Sequence, residues 1–470
     1  MLTRLSLRLR IFLFFCLLAL GGLAVTTGAL VVGYQRADDP DMLNAFVFSG
    51  LLSGFALLGM IAGVWLLFDE NIAKPIDRLA AEMRARAHAG VTGNMDLSAA
   101  RYLGDLAPAA QAVAGQLSDS TMMTAEAVAT QTARLSAERD RLTALLTQIP
   151  MAMVILNPAH RIVLYDGQAA AVLAQVTHPR LQASLFEYLQ PAEIESAYAE
   201  LLAAGAEVAC KAVSADGLQT YDVRLKPMGH APGYMLIFDA SEARMAPDAA
   251  RPLVYDFDLL DTPGDDAFED RPLADLCFVV FDTETTGLLP HKDEIVQIGA
   301  VRVLRGRIIP GEVLDTLVDP GIPIPAASTR VHKVSNAMVA GAPGINEAGR
   351  LFHQFARDSV IVAHNAPFDM AFLRRHATAM GVAWDHPILD TVLVSAVVFG
   401  ASETHTLDAL CGRLGVTIPA ELRHTALGDA QATAEVLCKM LPMLQARGMK
   451  TFGDVIAETR KHGRLLEDLN

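Results

Sequence analysis

Two apolar runs constrain this chain before anything else does. "IFLFFCLLALGGLAVTTGALVVG" (Ile11 to Gly33) and "AFVFSGLLSGFALLGMIAGVWLLF" (Ala45 to Phe68) carry no charge, and each exceeds the ~20 residues a helix needs to cross a bilayer. Arg4, Arg8 and Arg10 precede the first run, as they would in a secretory signal. Its apolar core is too long for one, no A-x-A pattern closes it, and a second span follows. The expectation is a retained transmembrane hairpin over residues 1–68. Arg4, Arg8 and Arg10 before it and Lys74, Arg78, Arg84 and Arg86 after it outnumber Arg36, the one basic residue in the loop "QRADDPD". By the positive-inside rule both termini face the cytoplasm.

A length of 470 residues leaves room for several domains after the hairpin. The mean hydropathy of +0.31 is explained largely by the two runs. Cys16, Cys210, Cys277, Cys411 and Cys438 form no C-x-x-C pair, so neither a disulfide framework nor a thiolate zinc site is expected. The net charge of −15 excludes a protein that grips duplex nucleic acid by charge alone. From Asp239 to Asp270 there are ten acids against Arg244 and Arg251, so nucleic-acid contact has to be local or carried by metal ions.

Gly50 and Gly54, then Gly59 and Gly63, stand four apart in the second run, a spacing that lets another helix approach closely. "NIAKPIDRLAAEMRARA" and "YLGDLAPAAQAVAGQL" read as two amphipathic helices and resemble a HAMP signalling module over residues 69–120. Val128, Leu135, Leu142 and Ile149 keep a seven-residue spacing. A signalling helix over 121–137 is expected from it, with homodimerisation through this helix and the HAMP-like pair as one outcome and packing on the next domain as the other.

"AMVILNPAHRIVLYDGQAAAVLA" reads strand, turn, strand, helix, and "EVACKAV", "TYDVRLKPMG" and "GYMLIFDAS" add three strands. This order resembles a PAS domain over residues 138–240, an α+β sensor fold whose ligand the sequence does not identify. His160 and His230 read as surface or turn histidines. Residues 241–270 read as an acidic linker, although "LVYDFDLL" alternates enough to add an edge strand.

From about residue 275 the pattern is α/β. "LCFVVFD" is a continuous apolar run, as a central strand covered on both faces requires, and "FDTETTG" ends it on Asp282 and Glu284. Alternation puts these two on one face with Thr283 opposite. Adjacent carboxylates in a low-dielectric setting repel unless protonated or bridged by a cation, so hard divalent ions with oxygen ligands are the economical explanation. "AHNAPFD" supplies Asp369 just past another strand, and "RHTALGDAQATAEVL" supplies Asp429 on a long helix with His424 five residues earlier.

"FDTETTG", "HNAPFD" and "HTALGD", in that order, resemble the three motifs of the DEDDh exonucleases, and among these the proofreading epsilon subunits of bacterial DNA polymerase III. The resemblance covers about residues 275–446 and implies a ribonuclease H-like α/β domain with a mixed five-stranded sheet, over 271–446, followed by a tail over 447–470. It implies that Asp282, Glu284, Asp369 and Asp429 hold two divalent ions, Mg²⁺ or Mn²⁺, and that His424 is the general base. It places His332 of "RVHKVS" against the terminal nucleotide, with Lys333 where the family has glycine. Thr285 and Thr286 are matched to the pocket for the 3′ nucleotide, and Asp390 is expected to cap a helix. The implied activity is 3′–5′ removal of nucleoside 5′-monophosphates from a single-stranded or frayed 3′ end of DNA, or alternatively RNA trimming. Another alternative is a signalling protein whose nuclease domain serves as regulated output or nucleic-acid-binding module. Association with a DNA polymerase is implied by family likeness alone. The expected location is the bacterial inner membrane, two-pass, with the exonuclease domain cytoplasmic.

Overall fold

Apolar runs of this length satisfy their backbone groups internally as helices, and both do so here: α1 spans Leu7–Ala37 and α2 spans Leu43–Phe68. The computed structural model describes residues 7–37, 42–89, 103–106, 109–110, 152–229, 231–239, 253–261, 268–419 and 421–470. The two helices run antiparallel, with Phe12 against Trp65 at one end and Tyr34 against Phe46 at the other. A Cβ at Gly54 would sit 3.3 Å from Leu23 and one at Gly50 3.3 Å from Leu30, whereas Gly59 and Gly63 face nothing within 4 Å. Only the first glycine pair serves the contact. Arg8 clasps Asp69 through two hydrogen bonds of 2.8 Å, joining the start of α1 to the residue after α2. A π-helical turn, Asp69–Ala73, leads into α3, Lys74–Ala89. By length and composition both apolar helices are able to cross a membrane. Most of the second HAMP-like helix and all of the expected signalling helix lie outside the described residues.

Residues 124–470 form a separate unit. Its first part is a sheet built from β1 (Ala152–Leu156), β2 (Ile162–Tyr165), β3 (Val208–Val213), β4 (Thr220–Pro227), β5 (Tyr234–Phe238) and β6 (Val254–Tyr255), in the order β3-β4-β5-β1-β2-β6. Every neighbouring pair is antiparallel. Helices α4 (Gly167–Leu173) and α5 (Pro191–Ala204) lie between β2 and β3 in sequence. Asp166 starts α4 by accepting the Ala169 amide at 2.6 Å, a side-chain cap. β6 comes from the acidic stretch, and its pairing with β2 is the edge strand the alternation of "LVYDFDLL" foreshadows. His160 closes the turn that begins at Asn157, as expected of a turn histidine, and its half-buried ring packs inward: Nδ1 lies 2.7 Å from the Tyr234 hydroxyl, among Phe186, Tyr198 and Tyr234. His230 lies outside the described residues.

The second part has β7 (Cys277–Thr285), β8 (Ile295–Leu304), β9 (Arg307–Leu317), β10 (Val360–Ala363) and β11 (Ile388–Asp390) in the order β11-β10-β7-β8-β9. β7, β10 and β11 are parallel, while β8 and β9 run antiparallel, which gives the expected mixed five-stranded sheet. Its helices are α6 (Ala326–His332), α7 (Asn336–Val339), α8 (Ile345–Phe355), α9 (Ala366–Met380), α10 (Thr391–Phe399), α11 (Leu407–Leu414), α12 (Ala426–Ala446) and α13 (Phe452–Thr459). Val279 and Phe281 share a core with Phe352 and Phe355 of α8 and Met370 and Phe372 of α9. Strand alternation therefore turns the even-numbered face of β7 to the opposite side, where α12 packs across β7 and β8. Residues 447–470, set apart as a tail by sequence, are woven into this domain. Leu273 donates to Lys450 and Phe452 to Arg271, Leu469 joins the core, and the Asn470 side chain pairs with both backbone groups of Ile388.

The two parts share one core, because Cys277, Leu304 and Ile309 cluster with the hydrophobic residues of the first sheet. At its centre Glu312 of β9 is fully buried. It accepts hydrogen bonds from the Tyr165 hydroxyl at 3.0 Å and the Leu181 amide at 2.5 Å and pairs with the Arg302 guanidinium at 2.8 Å. A carboxylate with no access to water needs such a set of partners. Arg180, also buried, adds ion pairs to Glu187 and to Asp358 across the seam.

Candidate active site

The carboxyl ends of β7, β10 and β11 point the same way, and the acids of the three motifs gather there. Asp282 and Glu284 leave β7 on the side of α12, and Asp429 stands in the first turn of α12. Asp282, Glu284 and Asp429 each offer an oxygen, all within 4.8 Å of one another. Two features bring α12 this close. Gly299 pairs opposite Asp282 on β8, and a Cβ there would run into the backbone of Ala426 and Leu427. Gln297, also on β8, accepts from the Ala426 amide at 3.3 Å and donates to Asp315 at 2.8 Å, fixing the first turn against the sheet. Neither residue belongs to a motif, but a glycine and a glutamine inside a ten-residue buried strand are the signal that marks such a close approach.

Asp369 arrives from the other side. It lies in the first turn of α9, and its Oδ1 accepts from the Thr283 amide at 3.2 Å and the Thr283 hydroxyl at 2.5 Å. Thr283, on the face of β7 opposite the paired acids, thus holds the fourth carboxylate. Asp390 acts as a cap, accepting Val392 of α10 at 2.7 Å and Ala366 of α9 at 2.6 Å. It thereby sets where the helix that carries Asp369 begins.

Crowding four acids raises their proton affinity. Burial, then Asp369, Glu284 and Asp429, push Asp282 well above the usual carboxylate range. Burial, then Asp429 and Asp369, push Glu284 up to about 8. Asp369 rises to about 7 through burial, against the pull of its Thr283 bonds, and burial raises Asp429 while His424 opposes it. A cluster of hard oxygen donors that resists ionisation on its own suits a divalent cation, which stabilises the charged forms.

His424 is exposed, beside Asp429, with φ +58°. His332 ends α6 and is buried. Its Nδ1 accepts from the Val334 amide at 3.0 Å, while Nε2 has no hydrogen bond of good geometry. Burial pushes its imidazole down, partly offset by the Thr285 backbone, so His332 lies near the end of β7. Lys333 takes φ +65° as the cap of α6, the conformation in which glycine is least strained. The hydroxyls of Thr285 and Thr286 are engaged internally: Thr285 donates to the Gly287 carbonyl at 2.6 Å and Thr286 accepts the Glu294 amide at 3.0 Å.

Residues 279–437 match the exonuclease family RNase_T. The chain is 36% identical, over an alignment of 703 positions covering 100% of each sequence, to a "DNA polymerase III subunit epsilon-like protein" of Rhodobacter capsulatus. It is also 38% identical over 178 residues to the PolC-type DNA polymerase III of Caldanaerobacter subterraneus, a match covering 38% of this chain and 12% of that one. Among solved structures, exonuclease X in complex with 5′ overhanging duplex DNA aligns with a TM-score of 0.30 and 26% identity, covering 38% of this chain and 98% of that one. E. coli exonuclease I in complex with a dT13 oligonucleotide aligns with a TM-score of 0.33 and 17% identity, covering 37% and 42%.

Proposed function

This chain belongs to the family of DNA polymerase III subunit epsilon-like proteins and is a 3′–5′ exonuclease, and from that premise we propose that it is a membrane-anchored enzyme trimming single-stranded or frayed 3′ ends of DNA, with Asp282, Glu284, Asp369 and Asp429 as metal ligands. The observation that carries the proposal is the approach of Asp282, Glu284 and Asp429 to within 4.8 Å. Divalent ions, Mg²⁺ or Mn²⁺, held by the four carboxylates would supply positive charge at the scissile phosphate and would lower the proton affinity of the attacking water. His424, exposed beside Asp429, accepts the proton of that water at an imidazole nitrogen. His332, near the end of β7, turns its ring toward the terminal nucleotide, and the buried Thr285 and Thr286 shape the pocket through their backbone. The sheet built around β1 to β6 acts as a PAS-like sensor, and the shared core around Glu312 is what supports a route from it to the sheet bearing the acids. The two apolar helices serve as the anchor.

The test uses the full-length chain in detergent with 5′-labelled single-stranded DNA and RNA of matched sequence, in Mg²⁺, Mn²⁺ or EDTA. Expected is stepwise shortening of DNA that requires metal and vanishes in Asp282→Asn. Shortening that persists in EDTA or in that variant refutes the site, and faster shortening of RNA refutes the choice of substrate.

A further inference from the structure

A second set of side chains has ligand chemistry of a different kind. His353, in the last turn of α8, and Asp385 and His386, just before β11, offer ligand atoms that all lie within 4.8 Å of one another. They stand at the amino end of β11, while the acidic centre occupies the carboxyl ends of the parallel strands. We propose that His353, Asp385 and His386 form a binding site for a zinc-class divalent ion, clipping the end of α8 to the segment that enters β11.

Two observations, beside the convergence of the three side chains, carry the inference. Nδ1 of His386 is buried and has no hydrogen-bond partner among the described residues, a state that costs free energy unless a ligand takes up its lone pair. Nε2 of His353 lies 2.9 Å from the Ala383 carbonyl. Donation there fixes the tautomer and leaves the other ring nitrogen unprotonated, the arrangement usual for a metal-bound imidazole. Ring packing is the competing explanation, since His353, Trp384 and His386 have ring centroids 5.0 to 6.0 Å apart. It accounts for the rings, but not for Asp385 converging on them or for the unpartnered nitrogen.

Two imidazoles and one carboxylate suit borderline ions such as Zn²⁺ or Co²⁺, whereas the all-oxygen acidic centre suits Mg²⁺ or Mn²⁺. The two sites would therefore sort metals by type. Three protein ligands leave a position for water.

Zinc binding to full-length protein in detergent is measured after EDTA stripping, in an Asp282→Asn, Asp429→Asn background that disables the acidic centre. Atomic emission after desalting should find about one zinc per chain, and Co²⁺ should give a visible absorption band that Zn²⁺ displaces. His353→Gln with His386→Gln should abolish both signals. Asp385→Asn, at an exposed position, should fold normally by circular dichroism and weaken zinc binding by more than about tenfold, since even outer-shell partners of a metal carry ~10- to 100-fold. The inference is overturned if the background protein retains no zinc, or if Asp385→Asn and the histidine pair bind it as the background does.

Discussion

Replacing Glu284 with Gln should make the metal-free protein more stable while abolishing its activity, and the gain should depend on pH. The Glu284 carboxyl is held at about 8 instead of 4.5, by burial first and then by Asp429 and Asp369. At 1.36 kcal/mol per unit of pKa, carrying the charge in the folded state costs roughly 5 kcal/mol. Below pH 4.5 the side chain is protonated folded or unfolded, and the cost is absent. Between 4.5 and about 8 the unfolded chain releases its proton while the folded one keeps it, so stability falls as pH rises, and above 8 the loss is complete. Glu284→Gln keeps the shape and removes the ionisation. Its advantage should be near zero at pH 4 and should approach the full amount at pH 9; Asp282, raised in the same direction, adds to the pH dependence of both proteins. The assay is urea unfolding in EDTA, followed by fluorescence. The chain has two tryptophans, and a Trp65→Phe background leaves Trp384, in the core with Val279 and Phe281, as reporter. Adding Mg²⁺ should stabilise the protein with Glu284 more than the variant. A stability gap of the same size at pH 5 and pH 9, or a variant less stable at pH 9 in EDTA, would refute the electrostatic reasoning.

Thr283→Val removes the 2.5 Å hydrogen bond to Asp369, one of the bonds that restrain its rise to about 7. The acidic limb of the pH–rate profile should move to higher pH, by an amount on the order of the ~1 kcal/mol of one hydrogen bond. Gly299→Ala drives a Cβ into the backbone that starts α12; overpacking should cost about 1–3 kcal/mol, read by urea unfolding. Displacement of Asp429 should weaken Mn²⁺ binding as well, read by calorimetry. Glu312→Ala leaves Arg302 buried without its carboxylate and should cost about 3–5 kcal/mol in urea unfolding, with the first sheet and the exonuclease domain melting together.

How much was legible in the sequence depended on how far each residue's partners lie along the chain. β7 could be read outright, because an apolar run that long between turn signals has few other solutions and alternation alone puts Asp282 and Glu284 on one face. The dependence of Asp369 on Thr283 was hidden, since it requires knowing which helix packs behind β7. Glu312 in "GEVLDT" looks like an exposed position on an edge strand; only the docking of Tyr165 and Leu181, distant in sequence, makes it a buried one. Residues 447–470 carry no motif, and their place against β11 follows from Leu469 and Asn470 meeting surfaces built elsewhere. His353 and His386 stand in different elements, so no local spacing could pair them. The HAMP-like and signalling expectations rest on periodicity alone.

The shared core around Glu312 bears on how such a protein can be inherited. Gene fusion joins domains as interchangeable cassettes, each soluble by itself. Here an exonuclease domain copied out alone would carry Cys277, Leu304 and Ile309 as a bare apolar patch, with Glu312 losing Tyr165 and Leu181 from its ring of donors. Recombination that swaps the neighbouring sheet is therefore penalised at the level of folding. A seam of this kind makes the two sheets one unit of inheritance, in which a substitution at Tyr165, Arg302 or Glu312 changes the partners left to the other two.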